Sequence, residues 1–337
     1  VTPEALAYIQ TPGFQRGGTE QRVQGISFTG DLSEYGWKAP GAKSGMGVAI
    51  GAERRIEKLF NDTDQAFSTG DLFGQGGPTI GLNGKYDVRD VFGELRAPIL
   101  EGASMAELLT VNASYRNSKY SFGPTANTYG FGIEWAPIKE VRGRASFQHA
   151  VRAPNVIDQF TAVGAGLFNM PVDPCGASKL ATQAQCARTG LTAAQYGSAN
   201  LDNPAGQYNA IFGGSTRLVP EESDSSTIGA VFQFGRNLAF SIDYFKIKVE
   251  KVVGAQPYAI LAGCLQSGDP KLCNLIKRDR FGTLWQTQDG GAGITAINQN
   301  QGTTETAGFD FSLNYIYKLD GWGGLKVDFN GTLLDTN

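Results

Sequence analysis

The 337-residue chain has little of what membrane-spanning helices, nucleic-acid binders and metal sites require. It contains no run of roughly 18 apolar residues, so a transmembrane helix is not expected. The net charge of −3 provides no basic field for nucleic acid. The only histidine, His149, falls on the apolar face of a predicted strand, and there is no CxxC pair. We therefore expect no metal or other cofactor, no catalytic triad and no enzymatic activity.

The chain has only four cysteines, and they form two local pairs. Cys175 is close in sequence to Cys186, and Cys264 is close to Cys273, in segments rich in Gly, Asp, Pro and Ser. This spacing predicts two short-range disulfides in an oxidising compartment. The alternative is four free thiols in a reducing cytosol.

Strict alternation of apolar and polar residues is the main pattern, and it is clearest in residues 141–152. The first face holds Val141, Gly143, Ala145, Phe147 and Val151. The second face holds Arg142, Arg144, Ser146, Gln148 and Arg152. Because successive side chains of a strand point to opposite faces, the pattern predicts a strand with one apolar and one polar side. Such a strand is typical of a barrel with lipid outside and water inside.

Similar alternation recurs along the chain and predicts an all-β, antiparallel transmembrane barrel of about ten strands. The predicted strands lie near residues 21–30, 45–57, 86–97, 109–116, 128–135, 141–152, 228–234, 238–244, 309–317 and 325–330. Pro98 is expected to end the third strand, and a medium-length loop is expected before the fifth. Long loops are predicted at 59–84, 153–224 and 250–292, with tight connections between them. Alternating loop lengths are typical of tight periplasmic turns and large extracellular loops.

Four segments, in order along the chain, resemble motifs of TonB-dependent outer-membrane receptors. The first is Arg152-Ala153-Pro154-Asn155, which ends a predicted strand. The second is Pro220-Glu221-Glu222-Ser223-Asp224, followed by Thr227-Ile228-Gly229. The third is Asp243-Tyr244-Phe245-Lys246-Ile247, and the fourth is NQNQGTTETAGFD at 298–310. Each motif alone is a weak signal, but four in the family's order are specific.

The resemblance implies part of a 22-stranded barrel with an N-terminal plug domain, located in the bacterial outer membrane. It also implies import of a scarce ligand, powered by the TonB–ExbB–ExbD complex through a plug segment outside this chain. About ten strands do not close so wide a barrel, and an open sheet in lipid would leave unpaired edges. Residues 1–337 are therefore predicted to be a partial barrel domain of a longer receptor, in contact with outer-membrane lipid.

The favoured function is an active-transport receptor for an oligosaccharide, another organic nutrient or an iron–siderophore. The alternatives are a passive porin or surface adhesin, and a soluble β-rich carbohydrate-active protein. Aromatic residues in the long loops are candidates to stack on sugar rings or cover a chelate, namely Phe168, Tyr196, Tyr208 and Trp285. The arginines of the polar face either belong to a charged lumen that contacts the plug or guides an anionic ligand, or pair across neighbouring strands; the pairing interpretation is favoured.

Overall fold

The computed structural model describes residues 2–72, 77–235, 237–286, 291–319 and 321–335. In chain order the strands are β1 (Gln15–Asp31), β2 (Gly47–Thr63), β3 (Leu82–Ala103), β4 (Ala106–Tyr120), β5 (Thr125–Ile138), β6 (Val141–Arg152), β7 (Gly164–Asn169), β8 (Gln207–Gly213), β9 (Glu221–Phe234), β10 (Leu238–Glu250), β11 (Val253–Gly254), β12 (Ile276–Lys277), β13 (Gly293–Ile297), β14 (Gln299–Asn300), β15 (Thr303–Leu319) and β16 (Gly323–Asp335). The helices are α1 (Pro3–Ile9), α2 (Gln65–Thr69), α3 (Val156–Phe160), α4 (Gln183–Ala187), α5 (Pro257–Ser267) and α6 (Pro270–Cys273). None of the described helices has the length and apolar character needed to cross a bilayer.

Ten long strands form one sheet, which we call the wall. Its order is β1-β2-β3-β4-β5-β6-β9-β10-β15-β16. Every neighbouring pair is antiparallel. Within the described residues β1 and β16 lie at the two edges of this sheet. The predicted antiparallel barrel segment of about ten strands is therefore present.

The outer face of the wall is apolar and exposed. Phe131 pairs with Phe147 across β5 and β6, and Ile242 pairs with Phe311 across β10 and β15. Ile228, on the same face, is 62% exposed. From Phe309 to Tyr317 the apolar face of β15 extends about 27 Å along the strand at roughly 3.4 Å per residue. A continuous apolar surface of this size is unfavourable in water and is typical of a face that contacts lipid.

Charged residues replace apolar ones toward the end of the wall that carries the long loops. One row across the outer face of β1 to β4 consists of Gln24, Arg54, Arg89 and Lys119. The next apolar row toward the tight turns includes Ile26, Ala52 and Val91. The boundary between these rows marks where the apolar band ends. The strands continue past it, so the long loops start outside the membrane.

The inner face is polar, and its charged side chains pair across neighbouring strands. This is the arrangement that the sequence favoured. Arg142 Nη1 lies 2.6 Å from Glu134 Oε1. Asp90 is buried, accepts a hydrogen bond from Ser118 and lies 3.5 Å from Arg116. Buried charges keep their charge at low cost only when they are paired. The wall thus has a polar interior in place of a dry core.

The structure corrects four local expectations. The strand expected to stop at Pro98 continues to Ala103. Proline has no N–H to donate to the neighbouring strand, and a register shift between Pro98 and Leu100 accommodates it within the sheet. The medium-length loop expected before β5 is residues 121–124 only. The segments expected to be irregular loops, 153–224 and 250–292, contain strands and helices, and the connections run from 153 to 220 and from 251 to 302. The loop expected at 59–84 runs from 64 to 81.

Candidate functional site

The two longest connections, residues 153–220 and 251–302, fold together over the loop end of the wall, and we call them the lobe. Its sheet has the order β12-β13-β8-β7. Strand β8 belongs to the first connection and β13 to the second, and the two pair in parallel, with Ala210 opposite Ile294. The lobe is therefore one folded unit made from both connections.

The lobe has the dry core that the wall lacks. Leu201, Tyr208, Leu261, Leu284 and Ile294 are all fully buried. They come from both connections and form one contiguous cluster. Burying large apolar side chains stabilises each by about 1.5–3 kcal/mol relative to exposure. This core, rather than a lipid environment, holds the lobe together.

Both predicted disulfides are present and lie in the lobe. Cys175 is bonded to Cys186, and Cys264 is bonded to Cys273. Cys175, Cys186 and Cys264 belong to the buried cluster, and Cys273 packs against it. The disulfides therefore fix the local chain around the core.

A buried ion pair joins the two connections of the lobe. Arg278 Nη1 donates to Asp173 Oδ2 at 2.7 Å, and the two side chains are 2% and 0% exposed. Arg278 also donates to Thr189 Oγ1 and to the carbonyl oxygen of Gly282. Asp173 accepts a further bond from the Cys175 amide. Each charge is thus satisfied by several partners, as a buried charge requires.

The four aromatic residues predicted to contact ligand all belong to the packing of the lobe. Tyr208 is fully buried, its hydroxyl accepts from the Asn203 amide, and burial raises its pKa. Phe168, Tyr196 and Trp285 are half-buried against the same core. Tyr196 donates to the carbonyl of Ala181. Trp285 donates to the carbonyl of Asn200. In this conformation Tyr208 exposes no surface to a ligand, and ligand contact by the other three stays a prediction.

The motif residues at 152–155 begin the lobe. Arg152 ends β6, and Pro154 is buried next to it. Asn155 caps α3: its side chain accepts from the Asp158 amide at 2.8 Å, and Asp158 in turn accepts from the Asn155 amide. This reciprocal capping fixes the direction in which the chain leaves the wall. Ala153 packs against the small inner cluster of Val88, Tyr120 and Ala126.

The chain passes between the wall and the lobe four times, and three side chains link these passages by hydrogen bonds. We call these three residues, Arg152, Glu221 and Asn300, the base clasp. Arg152 donates to both carboxylate oxygens of Glu221, at 2.6 and 2.7 Å, and to Asp158 at 3.1 Å. Glu221 also accepts from the Val253 amide at 2.7 Å. These bonds hold the pKa of Glu221, which lies beyond the apolar band, below its usual range, with Arg152 as the main cause.

Asn300 completes the base clasp on the other side. Its side chain donates to the carbonyl oxygens of Val219 and Lys251, both at 2.8 Å, and accepts from the Val219 amide at 2.9 Å. Pro220, the residue between Val219 and Glu221, is buried. The second and fourth motifs therefore meet the first at the base of the lobe. The sequence placed these motifs on separate strands and gave no sign that they converge.

The third motif explains a glycine in the second. Asp243 accepts a bidentate pair from Arg144, at 2.7 and 2.6 Å, although β9 lies between their strands. Gly229 is the intervening residue, and a Cβ there would lie 1.9 Å from Asp243 Oδ1. The pair therefore requires glycine at 229. Tyr244, on the opposite face, packs on Phe309 with ring centroids 5.1 Å apart.

His149 is structural in its contacts. Its ring stacks on Tyr129 at 4.9 Å, and its Nδ1 lies 2.7 Å from Asp224 Oδ1. The neighbouring strands β5 and β9 supply these partners.

An open cleft of about 650 Å³ lies between the lobe and the loop ends of β1, β2 and β3. Its lining residues are Gly17, Gly18, Thr19, Leu59, Phe60, Asn61, Pro78, Thr79, Ile80, Leu82, Ile157, Thr161, Ala162, Gly164, Ala165 and Phe212. Leu59 and Asn61 share the inner face of β2 with Glu53, whereas Phe60 belongs to its outer face, so the cleft lies at the end of the strand. Its volume is in the range of small-molecule sites. The sequence did not single out this set, because its members are ordinary in type and come from five separate segments.

Exposed apolar strands outside, paired charges inside and long folded loops at one end define this class of protein as part of a β-barrel of the bacterial outer membrane. A family model described as "TonB dependent receptor-like, beta-barrel" matches residues 4–336. The chain belongs to this family. Comparison with curated proteins finds no match.

Solved structures with this fold include three receptors. The siderophore receptor PirA of Pseudomonas aeruginosa is 13% identical with a TM-score of 0.55, over 95% of this chain and 44% of that one. The ferric enterobactin receptor PfeA of the same organism, in complex with BCV-L6, is 13% identical with a TM-score of 0.58, over 95% and 36%. A double mutant of the hemophore receptor HasR of Serratia marcescens is 13% identical with a TM-score of 0.53, over 96% and 42%. The chain thus spans less than half of each receptor, and the likeness shows the fold.

Proposed function

We propose that this chain forms part of the wall and the extracellular cap of an active importer in the outer membrane. The receptor captures a scarce nutrient at the mouth and imports it with energy from the TonB–ExbB–ExbD complex, delivered through a plug segment outside this chain. An iron chelate or another organic nutrient, including an oligosaccharide, is the proposed ligand. The family match and the siderophore and hemophore receptors among the similar structures support this proposal.

The observation that carries the proposal is the position of the lobe. A folded unit with its own core stands at the loop end of a polar wall and borders an open cleft. A rigid surface loses little conformational entropy when it captures a ligand, which favours binding of a dilute nutrient. A passive porin has no need for such a unit.

The test is nutrient uptake by cells that express the full-length receptor. We expect growth on one ferric chelate or organic nutrient to require both the receptor and TonB, and to stop when a protonophore collapses the proton gradient. Deleting residues 161–215 should abolish uptake, while the barrel remains heat-modifiable in the outer membrane. The control is Leu180→Ser, which changes a residue of the lobe that is 70% exposed. Uptake that continues without TonB would show passive diffusion and contradict the proposal.

A further inference from the structure

Among the residues that the structure describes, the lining of the cleft between the lobe and the wall includes no ionisable side chain. Its lining consists of aliphatic, aromatic, glycine, proline, threonine and asparagine residues. The rest of the inner face differs, because it carries the pairs Arg142–Glu134 and Arg144–Asp243. The base clasp, with Arg152, is not part of the lining either. A charged ligand in this cleft would therefore meet no opposite charge from the lining.

The apolar lining comes from both sides of the cleft. Leu59 stands on the inner face of β2, and Ile80 lies in the connection before β3. Ile157 on α3 and Phe212 on β8 approach from the lobe. Ile157 is 52% exposed and Ile80 is 46% exposed, so both present apolar surface to whatever enters. Covering such surface favours binding, because it removes apolar area from water.

A few polar groups interrupt the apolar lining. Asn61 offers an amide donor and a carbonyl acceptor. Thr161 donates its hydroxyl proton to the Ile157 carbonyl and keeps its oxygen as an acceptor. Small-molecule sites commonly combine an apolar lining with a few polar groups that orient the ligand. The arrangement suits hydroxyl and carbonyl groups on an otherwise apolar molecule.

We infer that the cleft binds an electrically neutral small organic molecule that presents an apolar or aromatic face together with hydroxyl or carbonyl groups. This inference rests on the proposed function, since it names the chemical class of the imported ligand. A net anionic ligand is disfavoured, because it would lose hydration without gaining a counter-charge. Neutral ferric chelates and neutral glycosides both belong to the inferred class.

The test compares two fluorescent probes that share one aromatic ring system. The neutral probe is 4-methylumbelliferyl glucoside, and the anionic probe is 4-methylumbelliferyl phosphate. Binding to the full-length receptor in lipid nanodiscs is followed by fluorescence anisotropy, with empty nanodiscs as the blank. We expect the neutral probe to bind at least about tenfold more tightly, which corresponds to 1.4 kcal/mol.

Two variants place a charge in the cleft at exposed positions, Ile157→Glu and Ile80→Glu. Glutamate is tolerated near the start of α3, because a negative charge is favourable at a helix N-terminus. Each variant should weaken binding of the neutral probe by about tenfold, since its carboxylate must be desolvated. The matched control is Leu180→Glu, on the lobe but outside the cleft, which should bind as the unaltered receptor does.

Three results would overturn the inference: equal or tighter binding of the anionic probe, binding of neither probe, or the same loss with Leu180→Glu as with Ile157→Glu. None of them depends on TonB. If the neutral probe binds as expected and nutrient uptake proves independent of TonB, the proposed function fails while the chemistry of the cleft stands.

Discussion

The wall and the lobe, although parts of one chain, are stabilised in opposite ways. The wall has ten strands, an exposed apolar outer face and paired charges inside, so it depends on lipid for its apolar contacts. The lobe buries its apolar residues in a core of its own and holds all four cysteines. The lobe therefore resembles a small secreted domain, in which disulfides support a limited core.

This difference also decides which interactions matter. In the wall Asp90 is buried, but inner ion pairs such as Arg142–Glu134, at 52% and 30%, are partly exposed. Such pairs contribute about 0–1 kcal/mol each. In the lobe the pair Arg278–Asp173 is buried, so removing one partner leaves the charge of the other buried and unpaired. Substitutions of paired charges should therefore destabilise the lobe more than the wall.

The largest expected effect is that of Asp173→Ala. It leaves the buried guanidinium of Arg278 without its carboxylate, which should destabilise the lobe by about 3–5 kcal/mol. The wall should keep its hydrogen-bond ladders, because Asp173 contacts only the lobe in its hydrogen bonds. Hydrogen exchange on the receptor in nanodiscs should show faster exchange in 161–219 and 252–298 and unchanged exchange in β4 and β5.

The matched control in the wall is Glu134→Ala, which removes one partner of a partly exposed pair. It should cost no more than about 1 kcal/mol and leave the lobe protected. An equal increase in the exchange rates of both regions after Asp173→Ala would mean that wall and lobe unfold as one unit. That result would contradict the separation of the two regions.

The second effect concerns the disulfides. Replacing Cys175 and Cys186 together by serine should destabilise the lobe by about 2–4 kcal/mol. Reduction with dithiothreitol should act in the same direction on the lobe and leave the wall unchanged, because the wall contains no cysteine. Limited proteolysis provides the measurement, with cleavage inside 161–219 as the expected product. Cleavage in β9 or β10 after reduction would show that the disulfides also support the wall.

The smallest effect is the response of the base clasp to pH. The pKa of Glu221 is lowered in the folded protein, chiefly by hydrogen bonds from Arg152 and also by the Val253 amide. Its contribution to stability is therefore fully present above the ordinary glutamate pKa of the unfolded chain, near 4.3. That contribution is lost as the pH falls through the lower folded value. After correction for the pH dependence of intrinsic amide exchange, the protection of the amides of Val219, Glu221 and residues 251–253 should fall below about pH 4.3.

The variant Glu221→Gln sharpens this test. Glutamine removes the titrating group, so exchange at the base of the lobe should already be faster at neutral pH and should lose this acid response. The variant keeps the contact between Asp158 and Arg152. An unchanged acid response in Glu221→Gln would place the titrating group elsewhere.

The sequence predicted the wall well, because alternation is local. Residues 141–152 alone revealed which face contacts lipid and which faces water. The disulfides were also predictable, since Cys264 and Cys273 lie close together along the chain. The bulge at Pro98 was not, because its tolerance depends on the pairing partner in β4.

The fold of the lobe was beyond sequence reasoning for a physical reason. Its sheet depends on β8 pairing in parallel with β13, and its ion pair joins Asp173 to Arg278, 105 residues apart. No local periodicity reports contacts of that range. The four loop aromatics were recognised as notable, yet whether Tyr208 faces a ligand or a core is decided only by the partner segment that covers it.

The parallel pairing of β8 with β13 has a consequence for how such receptors diversify. Neither extracellular segment can be exchanged for one of foreign sequence without exposing half of a shared interior. For the nutrient receptor proposed above, new ligand preferences in this part of the protein would therefore be acquired by transplanting both segments at once, or by altering the few cleft residues that neither segment needs for its fold.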